Sequence, residues 1–424
     1  MESSIDILIV GAGVSGLTAA LALHRQGIKS MVLELSNSMR ASGFHLSFWT
    51  NAWKAFEEIG VADKLRQQHE KIPEMMFASM VSGLPTSLTS LETKASNCNH
   101  EVRRVLRRDL LGALEKELPR GTIRYSSKVV SIEESGYYKL VHLADGTTLK
   151  AKVLIGCDGV NSVVAKWLGF KKPALDGRSE IKGSSYIDDG HALGLSFQHF
   201  FGKGVSFGVM PGDDKCIYWF FTFTQSQKDG LIEEDRAKMK QFVLRNIGRV
   251  PEQIVNVIES TKLEDIEMYP LTFRPPLEIL WGNISKDNVC VAGDAWHPMT
   301  PDVGQGGGSA VEDGITLAKC LAEALSMTET DGSLSYQLDN KGYERIRVGL
   351  SNYAKERRWR NFGLAVSAYL MAIIVDSEGM VLNFLRDKVL ASYLGSLFLK
   401  RADFDCGKLK ICSFQAKPET EGKN

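Results

Sequence analysis

The chain is poor in the features that would direct it to a metal, a membrane or a polyanion. Its seven cysteines (Cys98, Cys157, Cys216, Cys290, Cys320, Cys406, Cys412) form no Cys-x-x-Cys pair, and its eight histidines form no cluster, so no structural metal site is expected. An odd, scattered cysteine set argues for a reducing compartment. Lys+Arg and Asp+Glu both number 51, giving zero formal net charge, and nothing points to nucleic acid as a partner. The longest nearly uninterrupted apolar stretch, Phe362 to Val375, falls short of the ~20 residues that span a bilayer. Met1-Glu-Ser-Ser runs directly into an apolar segment, leaving no room for a signal or transit peptide, so a cytoplasmic location is expected. No internal repeat is visible, and only the Lys- and Glu-rich tail after Gln415 reads as disordered. At 424 residues the chain is long enough for two or three domains.

What is present begins at once. Ile5 to Val10 is a short β-rich run, followed by Gly11-Ala12-Gly13-Val14-Ser15-Gly16, an Ala/Leu helix expected over Leu17 to Gln26, and a second strand over Lys29 to Leu33 that ends at Glu34-Leu35. Strand, glycine turn, helix, strand and acid stand in dinucleotide-binding order. The first glycine permits a tight turn, the second lets backbone approach a pyrophosphate, the third lets helix and strand pack, and Glu34 accepts from ribose hydroxyls. The motif alone fits FAD and NAD equally.

Two further strand ends carry acids. Val153 to Gly156 leads into Cys157-Asp158-Gly159-Val-Asn-Ser162, and Asn288 to Ala292 leads into Gly293-Asp294, a Pro-punctuated turn with His297 and Pro301, and the cluster Gly304-Gln305-Gly306-Gly307 before a helical segment. In a parallel sheet the carboxyl ends of strands converge on one crevice, so all three ends can face one ligand. Arg40 is a candidate pyrophosphate contact, with a solvated surface cation as its alternative. Of the four arginines at Arg103, Arg104, Arg107 and Arg108, Arg107 stands at a helix start where it can reach inward. His45 lies in an alternating run and reads first as a packing residue; it and His297 remain weak active-site candidates.

Between about Pro173 and Tyr269 the pattern becomes all-β, with an aromatic strand over Cys216 to Thr224 and a charged helix from Glu233 to about Ile247. Met75 to Val81 and Thr86 to Leu91 are expected to form a hairpin. Thr122 to Glu133 and Tyr137 to Leu143 are expected strands, Glu92 to Asn99 and Thr328 to Leu338 loops, and Lys341 to Lys400 several helices. The basic residues Arg345, Arg347 and Lys355 to Arg360 are expected on helices packed against the cofactor domain, with a membrane-surface patch that collects a lipophilic substrate as the alternative.

Taken together, Gly11-x-Gly13-x-x-Gly16, Cys157-Asp158-Gly159-x-x-Ser162 and Gly293-Asp294-x-x-His297-x-x-x-Pro301-x-x-Gly304-Gln305-Gly306 resemble the marks of single-component, class A FAD-dependent monooxygenases. Among these the chain is most similar to the plant branch related to zeaxanthin epoxidase and salicylate-hydroxylase-like enzymes. The resemblance implies an α/β fold: a Rossmann-like FAD-binding domain (1–75, 100–172 and 270–330), an inserted antiparallel β-sheet substrate domain (76–99 and 173–269), and a C-terminal helical region with a disordered tail (331–424). It implies FAD pyrophosphate on Gly11 to Gly16, ribose on Glu34, help from Arg40 and Arg107, and adenine near Val129. Asp294 would bind the ribityl chain, and Pro301 with Gly304 to Gly307 would lie against the isoalloxazine. Asp158 is linked in that family to FAD and NAD(P)H. The family's arginine after the serine is replaced here by Ala165, followed by Lys166, which bears on NADH against NADPH preference.

The implied chemistry is hydride transfer from NAD(P)H to flavin, reaction with O2 to a C4a-hydroperoxide, and transfer of one oxygen to a small aromatic or lipophilic substrate. Two alternatives keep the fold or the cofactor. One is a flavin reductase or halogenase of related fold, although the halogenases' Trp-x-Trp-x-Ile motif is absent; the other is a membrane-associated FAD-binding module without turnover.

Overall fold

The computed structural model describes residues 4–39, 45–91, 100–191, 193–202, 204–213, 215–224, 235–326, 339–376 and 398–410. Its first strand, Ile5–Val10, is apolar and buried on both faces from Ile7 onward, and pairs in parallel with Met31–Leu33 on one side and Thr148–Gly156 on the other. Val289–Val291 adds in parallel beyond Thr148–Gly156, and Ile123–Arg124 beyond Met31–Leu33. A strand buried on both faces needs cover on both, and the helices Val14–Arg25 and Gly306–Ser326 pack together as part of that cover. Gly314 allows their close approach: a Cβ there would stand 2.8 Å from Ala19 N and from the Thr18 side chain.

Register then decides where function can sit. Leu33, Val10, Gly156 and Val291 are direct partners across four neighbouring strands, so the chain leaves the sheet at one level in four places.

The second sheet runs Ile266–Phe273, Ala174–Tyr186, Cys216–Thr224, Val205–Pro211, Phe197–Gly202, Glu74–Ser79, Pro85–Ser90. In chain order its strands begin at Glu74 and end at Phe273, a few residues outside the limits 76 and 269 expected from sequence. All neighbours are antiparallel except Phe197–Gly202 with Glu74–Ser79, which are parallel. Glu74–Ser79 arrives from an earlier part of the chain, so no hairpin fixes its direction. One face of this sheet, with Phe207, Trp219, Phe221 and Phe223, packs on the helices Arg236–Asn246 and Glu252–Ser260. The other face carries Phe77, Phe197, Phe201, Met210 and Tyr218 toward the first domain.

Three local expectations change. The segment over Thr122 to Glu133 is two strands, Ile123–Arg124 and Val129–Ser135, broken at Ser126, whose φ of 53° is left-handed. That turn is held because the Ser126 and Ser127 amides donate to Ser36 O and Glu34 O. The expected several C-terminal helices begin as one helix of 37 residues, Asn340–Asp376, and the apolar stretch from Phe362 is its second half. The first helix starts at Val14 rather than Leu17, because the glycine turn itself enters the helix. Arg40, the loops over 92–99 and 328–338, and the tail after Gln415 lie outside the described residues. Among the described residues, no helix is long and apolar enough to cross a membrane.

Candidate cofactor site

The rim formed by the four strand ends is built from backbone first. Gly11 has φ 102°, and a Cβ there would lie 2.4 Å from Cys157 O, so only glycine allows the first turn to touch the next strand end. Gly16 is as tightly placed, with Gly11 O at 2.0 Å from its would-be Cβ. Gly13 between them has nothing within 4 Å. Two closed glycines and one open one leave a cradle over Gly13 at the start of the helix Val14–Arg25, where amides and helix dipole favour a phosphate.

Glu34 closes this cradle at the side. It is 8% exposed, and its Oε2 and Oε1 accept from the amides of Ala12 and Ser36, both at 2.9 Å. A carboxylate has about four lone-pair sites, so capacity remains for ribose hydroxyls. Leu35 is exposed beside it, and Val129 is buried at the start of the neighbouring strand. Asp158 spends its carboxylate locally: it accepts from Ser162 Oγ at 2.5 Å and from the Val163 amide at 2.7 Å, while Ser162 caps the helix Val163–Trp167. Its contribution to the rim is therefore the shape of the Asp158-Gly159 turn. Ala165 is buried in the core behind it and Lys166 is exposed, so neither puts a cation at the rim.

Asp294 is crowded by protein yet more than a third solvent-accessible, the signature of a side chain at the bottom of an open cleft. Burial in that cleft pushes its carboxyl up, with His297 and Arg107 pulling it back. Arg107, first residue of the helix Arg107–Lys116, thus brings its charge to the acid from a different part of the chain. The turn holding Asp294 is pinned from the second sheet's edge by Arg274, which is 1% exposed and donates to Trp296 O at 2.6 Å. Pro301 opens a short turn that ends at Gly304 with φ 60°, and the helix Gly306–Ser326 begins two residues later. The amides at that helix start have no intrahelical acceptors and Pro301 is exposed beside them. This arrangement fits FAD: a phosphate cradle, an acid for adenosine ribose, a second acid in a cleft, and helix-start amides along one rim.

Beneath the loop lies a network that sequence reading missed. Asp313, fully buried, accepts from the Gly293 amide at 2.9 Å, His297 Nε2 at 2.6 Å, Arg357 Nε at 2.7 Å and Asn361 Nδ2 at 3.1 Å. Glu312 pairs with Arg357 at 2.6 Å and Arg360 at 2.9 Å and accepts from Asn51. Burial alone would raise both acids, but Arg357 and Arg360 hold Glu312 below its ordinary value, and His297 with Arg357 holds Asp313 well below the usual carboxylate range. Gln305 joins through its Oε1, which accepts from Asn51 at 3.0 Å. His297 is thereby sealed beneath the loop, fully buried, rather than facing the cleft. The basic run Lys355 to Arg360 is split by helical phase: Arg357 points inward while Lys355 and Trp359 are exposed.

The aromatic sheet faces the rim and is tied to it. Arg178, 1% exposed, forks onto Asp302 beside Pro301 through Nη1 at 2.9 Å and Nη2 at 2.8 Å, fixing the loop to the sheet. Arg104 is buried at the joint and donates to Met210 O at 2.8 Å. His45 sits opposite Leu106 in a two-stranded ribbon, 5.8 Å from the Tyr218 ring. Burial, then the charges of Arg104, His69 and Arg108, push its imidazole down to about 2, so it is neutral at physiological pH. The only signals for these clamps were isolated charged residues, Asp176-Gly-Arg178 and Glu312-Asp313, whose partners are distant in sequence.

Comparison with known proteins gives the same picture. The family described as "FAD binding domain" matches residues 4–341. Monooxygenase 2 of Arabidopsis thaliana is 50% identical over 410 residues, covering 96% of this chain and 99% of that protein. Monooxygenase 1 of the same plant is 32% identical over 407 residues, covering 96% and 99%. Among solved structures, Klebsiella pneumoniae HpxO complexed with FAD and uric acid shares the fold, with a TM-score of 0.77 at 23% identity over 94% of this chain and 96% of that one.

Proposed function

From the premise that this chain belongs to the FAD-binding-domain family of FAD-dependent monooxygenases, we propose that it uses NAD(P)H and O2 to insert one oxygen atom into a small apolar or aromatic molecule. The observation that carries the reading is the common level of Leu33, Val10, Gly156 and Val291, which brings Glu34, the glycine turn, Asp158 and Asp294 to one rim opposite an aromatic sheet face. When bound, FAD supplies the redox chemistry, taking up hydride and activating oxygen.

The chain's own residues supply position and environment. The amides around Gly13 would hold the pyrophosphate, and Glu34 would accept from the adenosine ribose. Asp294, steadied by the Arg107 charge, would accept from ribityl hydroxyls. The amides from Gly306 to Gly308 would supply donors to the ring system. Phe77, Phe197, Phe201 and Phe220 keep water from the reacting centre. His45, neutral across the working pH range, serves as a hydrogen-bonding group rather than an acid, and His297 holds Asp313 rather than a substrate proton.

The test is NADPH oxidation by the purified protein under isotopically labelled O2, with product mass spectrometry over phenolic, indolic and terpenoid compounds. A flavin-containing protein that incorporates one labelled oxygen atom supports the reading. Transfer of electrons only to an acceptor other than oxygen defeats it.

A further inference from the structure

Most buried polar side chains here are paired, and one exception stands on the face of the sheet that looks toward the flavin loop. His199, on the strand Phe197–Gly202, is 6% exposed, and neither ring nitrogen has a hydrogen-bond partner among the described residues. Its neighbours are rings: Phe201 at 4.0 Å between centroids, Phe220 at 5.3 Å, Phe197 at 5.6 Å and Phe77 at 6.2 Å. Register explains the cage. Phe77, His199, Gly208, Phe220 and Lys182 are direct partners across five adjacent strands and therefore share one face. Gly208 contributes no side chain, and a Cβ there would meet the Phe220 ring at 2.1 Å, so that ring lies over Gly208 and reaches the imidazole.

Burial pushes His199 down to about 3, leaving a neutral ring with one donor and one acceptor. A phenylalanine would fill this position without the desolvation cost of two unpaired nitrogens, so packing does not account for histidine. The same cluster contains Trp49, Val303 and Met299, which flank the flavin loop. Asp302, in that loop, is the charge that acts on His199, and the Arg178 fork prevents it from swinging over to pair with the ring.

We propose that His199 is a specificity-determining contact of the substrate chamber, hydrogen-bonding the hydroxyl of an uncharged, planar arenol held among the phenylalanines. This rests on the monooxygenase reading above. The charges nearby select against an anion: Lys182 is spent on Glu180 at 2.7 Å, and Asp176 and Asp302 share the single Arg178 guanidinium.

The test is equilibrium dialysis of the flavin-loaded protein with 1-naphthol, naphthalene and 1-naphthoate. Wild type binds 1-naphthol about tenfold or more tightly than either of the others. H199F abolishes the preference over naphthalene while leaving naphthalene affinity within about threefold, and its thermal midpoint without ligand is unchanged or raised. H199N, which keeps a donor and an acceptor, retains part of the preference. A lowered midpoint in H199F with the preference intact overturns the proposal, as does a wild type that does not prefer 1-naphthol. Flavin content and NADPH oxidation are read on the same samples. Their absence in wild type defeats the monooxygenase reading, whereas an unaltered preference in H199F with both intact defeats this one alone.

Discussion

Beneath the flavin loop and across from it lie two dry surfaces, one built on paired charges and the other on aromatic rings. In the lower one, Glu312, Asp313, Arg357 and Asn361 are fully buried and linked by ion pairs and hydrogen bonds. In the aromatic face opposite, rings dominate and His199 has no hydrogen-bond partner among the described residues. A surface whose charges satisfy one another is finished before any ligand arrives and can only hold shape. A surface with an unpaired group reserves capacity for something that comes and goes. On the function and the His199 role proposed above, the contrast separates residues that position the cofactor from residues that choose the substrate.

The contrast breaks most severely at Arg357. R357M leaves two buried carboxylates short of their shared cation, and we expect a loss of about 3–5 kcal/mol of stability, measured by urea unfolding, with flavin lost as a consequence. The acid limb of wild type has the same origin. Glu312 and Asp313 are held below their unfolded values, so their contribution is present above the ordinary carboxylate range near pH ~4 and is lost as pH falls toward their folded-state values. Unfolding profiles that do not steepen below that range would contradict the paired state of these acids.

Asp294 lies between the two surfaces and behaves oppositely to Asp313. Its folded-state carboxyl is raised, so keeping it ionised at neutral pH costs the empty protein stability. D294N should leave apoprotein stability equal or higher while weakening flavin binding by about 1.5–3 kcal/mol, read by flavin retention on gel filtration. Full flavin stoichiometry would remove Asp294 from the ribityl contacts.

On the aromatic side, G208V drives a side chain into the Phe220 ring. We expect about 1–3 kcal/mol of destabilisation, with flavin content preserved and affinity for aromatic compounds reduced. Loss of flavin in this variant would mean that the two surfaces are not separable. The baseline is Arg108, exposed and outside both: R108A should change stability by less than about 0.5 kcal/mol in the same unfolding assay.

The sequence revealed the rim far better than what lies under it. Gly11, Gly13, Gly16, Glu34, Asp158 and Asp294 announce themselves because strand ends, glycines and acids recur at short range, and parallel pairing then brings them to one level. The strand Cys216–Thr224 was also legible, from its run of aromatic residues. The Arg357 pairing was not, since a cation in a charged helical run looks solvated until the partner helix is placed against it. Arg178 and Asp302 stand 124 positions apart, and no local pattern joins them. The break at Ser126 was hidden because its left-handed turn depends on acceptors at Glu34 and Ser36 from another strand.

The helix Asn340–Asp376 has a consequence for how the protein is made. Synthesis completes the strands, the glycine turn and Glu312 with Asp313 long before Arg357, Arg360 and Asn361 emerge from the ribosome. Until then Glu312 lacks both of its arginines, and of the charged partners of Asp313 only His297 has been made. The network under the loop is therefore completed only late in synthesis, when residues 357 to 361 are in place.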